Sequence, residues 1–110
     1  MSAIEKVAAL AALINSLGCS PRIKLRHDAT PEAWGNTGIC IPVSGYIEVQ
    51  GPWPFREVEW LEINPIVMKH IGRLVASKRW NHSDAIVSFL QTEGVGYSIV
   101  EGMIRISLDA

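Results

Sequence analysis

Two carboxylates, Glu57 and Glu59, stand two residues apart in GPWPFREVEWLEINP (51–65), with Glu62 following and Glu48 shortly before. Residues two apart on a strand share a face at about 6–7 Å, a separation that suits acid/base partners or metal ligands. Catalysis also needs a pocket and a displaced pKa, and the alternation of the segment leaves this half-face in water. A solvated sheet face and a binding surface both rank above catalysis for these acids. In the solvated reading Lys24 and Arg26 lie across the sheet from Glu48 or Glu57 and form cross-strand ion pairs.

The remaining chemistry-bearing residues are scattered. His27, His70 and His82 have no spacing that would gather a metal, and His27 and Asp28, as neighbours on a strand, point to opposite faces. Ser44 precedes a glycine without forming a nucleophile elbow, and Cys40 lies between two isoleucines. GNTG (35–38) lacks the Lys-Ser/Thr and the helix of a phosphate loop. Residues 69–82 mix Lys69, Arg73, Lys78 and Arg79 with Trp80, a combination that can bind single-stranded nucleic acid. With no recognisable module and no net positive charge, a helix face with snorkelling cations is the plainer account, and nucleic acid is disfavoured as a partner. Among the four tryptophans, Trp60 is expected in the core. Trp53, held between Pro52 and Pro54, is either a lid on a sheet edge or an interface anchor.

The elements that must position these residues follow from periodicity. Val7, Leu10, Ile14 and Leu17 recur at helical spacing, Gly18 is a natural stop, and Ser2 with Glu5 has the spacing of a capping box, so 3–17 reads as an amphipathic helix. RIKLRH (22–27) alternates as a half-buried strand, 28–38 has loop chemistry, and SGYIEVQG (44–51) offers a second strand. In the third strand, 55–63, the face carrying Glu57 and Glu59 becomes apolar at Leu61 and Ile63. Either the strand runs off the edge of its covering helices or a bulge switches faces near Trp60. Asn64-Pro65 has the form of a helix entrance, 78–83 reads as a connection, and 84–92 as a short helix. YSIV-EG-MIRISL closes the chain as a hairpin, with Tyr97, Ile99, Ile104 and Ile106 on one face and Ser98, Val100, Met103 and Arg105 on the other. The expectation is a single α+β domain, 1–110, in the order α-β-β-β-α-α-β-β, with a mostly antiparallel sheet of about five strands covered by helices.

Composition limits what such a domain can be. The 110 residues are 48% hydrophobic and 19% charged, with ten Lys+Arg against eleven Asp+Glu. One core fits this length and no separate substrate domain does, while the near-neutral charge points to neither an anionic polymer nor a membrane surface. Cys19 and Cys40 are too few for a disulfide scaffold, which makes the cytoplasm the expected compartment. The opening MSAIEKVAALAALINSLGCS imitates a secretion signal, but Glu5 occupies the normally positive region and the apolar run is short. No segment has the length and apolarity of a membrane span.

The order P-R-I-K-L, a loop tryptophan, P-F-R-E-V-E-W-L-E-I, S-D-A-I-V-S-F-L and G-M-I-R-I resembles a family of short bacterial proteins of unknown function. The resemblance runs from about Pro21 to Ile106 and is most specific around Phe55, Glu57–Trp60 and Ile63. It departs in the Pro-rich connection at 40–54. It implies no reaction. In architecture the chain is also similar to the immunity proteins that accompany bacterial toxins. The resulting expectation is a non-enzymatic binding protein without cofactor or metal, which neutralises a basic toxin domain through Glu48, Trp53, Glu57, Glu59 and Glu62. The alternatives are a small enzyme or ligand binder using these carboxylates with His27 or Tyr46, and a self-associating protein joined as a homodimer through an exposed edge.

Overall fold

A computed structural model describes residues 3–32, 34, 39, 45–49, 51–69 and 78–107. Helix α1 spans Ala3–Leu17, as the spacing predicts, and turns Val7, Leu10, Ala11 and Ile14 inward. It stops where Gly18 takes a φ of 77° and donates its amide to the Ile14 carbonyl at 3.0 Å, a conformation that costs glycine nothing. Ser2 and the Glu5 side chain, the expected capping box, lie outside the described residues. Asn15 holds Ile39 through a reciprocal pair, its Nδ2 donating to the Ile39 carbonyl and its Oδ1 accepting the Ile39 amide, each at 2.8 Å. Helix α2, Ser83–Thr92, buries Ile86 and Leu90.

The main sheet is built from β1 (Ser20–Leu25), β4 (Val58–Asn64), β7 (Ser98–Val100) and β8 (Met103–Ser107). It is antiparallel, in the order β1-β4-β8-β7. Ile23, Leu61 and Ile106 stand in one row across three strands, and Pro21, Ile63 and Ile104 in the next but one. These isoleucines and Leu61 join the α1 and α2 side chains in a single buried cluster, so both helices cover the same face. Each such side chain contributes about 1.5–3 kcal/mol by leaving water.

Of the two accounts of the face change in 55–63, the bulge is the one observed. Lys24 pairs with Trp60 and Leu25 with Val58, which leaves Glu59 as the extra residue on β4. Val58, Leu61 and Ile63 consequently face the core with no exposure, whereas Trp60 and Glu62 point to the opposite face. The expected strand also begins later. Pro52–Pro54 forms β3, paired with β2 (Tyr46–Glu48) as a separate ribbon, and Phe55–Glu57 is a 3-10 turn. Trp60 is buried as expected, at 8% exposure, but on the opposite face of the sheet, outside the helix-covered cluster.

The helix expected after Asn64-Pro65 does not begin there: residues 66–69 are extended, and the rest of that span, 70–77, lies outside the described residues. Asn64 Oδ1 accepts the Ile66 amide at 3.0 Å, an Asx turn rather than a helix cap. The chain continues as β5 (Ile66–Lys69), paired with β6 (Lys78–Asn81), a strand where the spacing predicts a connection. His82 donates its amide to the Pro65 carbonyl at 2.9 Å and closes the base of this ribbon. The α+β class stands with eight described strands and two helices in the order α-β-β-β-β-β-β-α-β-β. The terminal hairpin keeps the predicted register, with Glu101 and Gly102 at φ 52° and 82° in its turn. No helix among the described residues is long and apolar enough to cross a membrane.

Candidate functional site

The sheet face turned away from the helices carries two polar rows. Arg22, Glu62 and Arg105 stand directly opposite one another across β1, β4 and β8, and Lys24, Trp60 and Ser107 form the neighbouring row. Glu62 is 1% exposed, and an isolated carboxylate so placed would be costly. Both arginines meet it. Arg22 Nε donates to Oε1 at 2.8 Å with Nη2 at 2.6 Å, and Arg105 places Nε and Nη2 each 3.0 Å from Oε2. These charge-assisted bonds satisfy the carboxylate. Among the described residues no buried side-chain nitrogen or oxygen lacks a hydrogen-bond partner.

Aromatic rings complete the layer. The Arg105 guanidinium carbon lies 4.2 Å from the Trp60 ring centroid, and that of Arg22 lies 4.4 Å from Trp34 and 5.8 Å from Trp60. Cations at these distances are attracted by the ring faces, and the planar guanidinium stacks there while its edge stays free to hydrogen-bond. The loop after β1 supplies Trp34 and is anchored by the Glu32 amide, which donates to the Ile23 carbonyl at 2.9 Å. Among the described residues no helix covers this face.

Beside this network lies an open depression of about 760 Å³, lined among others by Lys24, Glu59, Trp60, Tyr97, Ser98 and Arg105. Lys24 Nζ bonds Glu59 Oε2 at 2.6 Å and the Leu25 carbonyl at 3.2 Å. Tyr97 accepts a hydrogen bond from Gln91 Nε2 at 3.0 Å, so its phenolic proton remains available to donate.

The structure disperses the five residues predicted for partner binding. Glu48 is exposed on β2, away from the main sheet. Trp53, half-buried on β3, packs against the core and donates its indole N–H to the Val49 carbonyl at 3.3 Å. Glu57 ends the 3-10 turn and so does not share a strand face with Glu59. Glu59 lines the depression and Glu62 is enclosed. Lys24 forms its ion pair with Glu59 and not with Glu48 or Glu57. His27 and Tyr46 are exposed and do not line the depression. No group of three or more potential metal ligands occurs among the described residues. Cys19 is buried, and burial pushes its thiol pKa up, away from the reactive thiolate. Cys40, Ser44, His70 and Arg73 lie outside the described residues.

Sequence reasoning missed Arg22, Trp34, Trp60, Tyr97 and Arg105 as parts of one surface. Part of the signal was present, since alternation puts Arg22 with Lys24 and the hairpin puts Arg105 with Ser98. The adjacency of β1 and β8 to β4 was the missing piece.

The family model described as a family of unknown function (DUF6678) matches residues 38–107. The match starts after the Pro21 at which the resemblance began, and it includes Glu59, Trp60, Glu62, Tyr97, Ser98 and Arg105 while leaving out Arg22, Lys24 and Trp34. No curated protein and no solved structure matches the chain. The chain belongs to the DUF6678 family.

Proposed function

We propose that this member of the DUF6678 family is a non-enzymatic binding protein that holds its partner against the helix-free face of the β1-β4-β8-β7 sheet. In its most specific form it is an immunity protein of the bacterial cytoplasm, and its partner is a toxin domain whose working surface it covers. The observation that carries this reading is the pre-ordered Arg22–Glu62–Arg105 layer with Trp34 and Trp60, set beside an open depression. Tryptophan, tyrosine and arginine are the residues that most often anchor protein interfaces, and side chains already locked in place lose little entropy when a partner docks.

The charge pattern refines the expected acidic face. Glu59 and Glu62 are matched within the layer by Lys24, Arg22 and Arg105. Attraction of a basic toxin therefore falls to Glu48 and Glu57 outside it, where charge speeds encounter more than it tightens the complex. The test is growth protection. Expression of the polypeptide encoded beside this chain should arrest cells, and co-expression of the chain should restore growth. A Lys24→Glu/Tyr97→Ala variant that folds normally should lose that protection; full protection by this variant removes the face from the reading.

A second reading, self-association, has its own observation. Strand β7 is an edge of the sheet, and Ile99 on it is 55% exposed, an arrangement open to edge pairing. Light scattering over a concentration series separates the two: a mass that stays at 12.1 kDa rejects the homodimer.

A further inference from the structure

We propose that the depression on the helix-free face is a receptor for one carboxylate, supplied by an acidic side chain of the partner protein. This deepens the proposed function and rests on it for the source of the carboxylate. The first ground is charge. Among the described residues of this layer, Arg22, Lys24 and Arg105 face Glu59 and Glu62, which leaves one positive charge in excess. A single carboxylate balances it, whereas a phosphate dianion would overshoot.

The second ground is the supply of unused donors. Arg105 spends Nε and Nη2 on Glu62, so its Nη1 protons have no partner among the described residues. Lys24 uses two ammonium protons, on Glu59 and on the Leu25 carbonyl, and retains a third. Ser98, directly opposite Arg105 on the neighbouring strand, brings its hydroxyl to the same face. All three line the same depression. Hydrogen bonds to an ionised acceptor are the strong ones, and here the donors are already positioned when the anion arrives.

The third ground is shape. The Arg105 guanidinium is held flat against Trp60 at 4.2 Å, which fixes its plane and presents an edge to the depression. A planar carboxylate side chain meets such an edge in register, while the open mouth admits a residue projecting from a protein surface. The expectation of acids reaching toward a basic partner is inverted at this one point, where the partner contributes the acid.

The experiment needs no identified partner. The folded chain, labelled with 15N, is titrated with N-acetyl-glutamate N-methylamide, with its glutamine counterpart and with inorganic phosphate. The glutamate compound should give saturable shifts at the Arg105 Nε–H and at the Tyr97 and Ser98 amides, and the glutamine compound none. A Ser98→Ala variant should bind about tenfold more weakly, the expected cost of losing a donor to a charged acceptor. Equal shifts with glutamine, no saturation, or an unweakened variant overturn the proposal; tighter binding of phosphate than of the glutamate compound overturns its assignment to a protein side chain. Failure here with growth protection still dependent on the face removes the carboxylate site and leaves the proposed function. Binding here with protection independent of the face does the reverse.

Discussion

The two faces of strand β4 are held by opposite physics. Leu61 and Ile63 look into the helix-covered core and have no exposure, while Glu62 between them is 1% exposed on the other side. The apolar face relies on many weak, non-directional contacts, and a core of this kind accommodates substitution as long as volume is kept. The polar face relies on a few directional bonds to a desolvated carboxylate, in which every partner counts. Burial alone therefore says little about tolerance. The chemistry of what is buried decides it.

The sharpest way to break this contrast is to remove Glu62. Glu62→Ala leaves Arg22 and Arg105 facing each other without their shared counter-ion and should cost about 3–5 kcal/mol in urea denaturation. The companion replacement of the whole triad, Arg22→Met/Glu62→Leu/Arg105→Met, should be neutral or stabilising by about 1–4 kcal/mol. If that chain is as damaged as Glu62→Ala, the triad is a stability device and not an exchangeable surface layer.

Next in size is the opposite face. Leu61→Ala should lower stability by about 3 kcal/mol through lost transfer energy and an unfilled cavity, whereas Leu61→Met should stay within about 1.5 kcal/mol. The asymmetry between the faces appears when Glu62→Gln, equally conservative in size, costs more than Leu61→Met. Equal costs would dissolve the comparison.

Smaller still is the ion pair at the rim of the depression. Lys24 and Glu59 are in contact, but the Glu59 side chain is 43% exposed. A double-mutant cycle of Lys24→Met and Glu59→Gln should give a coupling of only about 0.2–1 kcal/mol, reduced by salt. A coupling near that of Glu62 would extend the all-or-none behaviour across the face.

The smallest effect belongs to Cys19. Burial raises the thiol pKa in the folded chain, so the unfolded chain loses its proton first as pH rises. The stabilising contribution is then present below the unfolded pKa and is lost as pH climbs through it toward the folded value. Stability should fall with alkaline pH slightly more steeply in the wild type than in Cys19→Ala, and alkylation of the native thiol should be slow. Rapid alkylation without unfolding would contradict its burial.

What could be read without coordinates was local. The α1 stripe, its stop at Gly18 and the Glu101-Gly102 hairpin each depend on residues within a few positions, and all appeared where the spacing placed them. Asn64-Pro65 shows the limit of local reading. The same asparagine oxygen can cap a helix or close an Asx turn, and β6, more than ten residues further on, decides the matter by pairing with β5.

The candidate site was less legible for the same reason. The hairpin alternation correctly placed Arg105 beside Ser98, and the period of 22–27 also puts Arg22 on the face of Lys24. Alternation also announced a change of face within the third strand and named a bulge near Trp60 as one of its two causes. None of this reveals that β1 and β8 flank β4, and only that order places an arginine on each side of Glu62.

By itself, then, the amino-acid sequence determined the α+β class, the first helix, the last hairpin and the alternation of its strands, because those follow from side-chain period and turn chemistry over short separations. The tertiary structure alone decided that Glu62 is enclosed, that Trp60 lies on Arg105 and that a depression opens beside them. The physical reason is separation along the chain: Glu62 meets Arg22 across 40 positions and Arg105 across 43, and no local preference encodes which distant strands become neighbours.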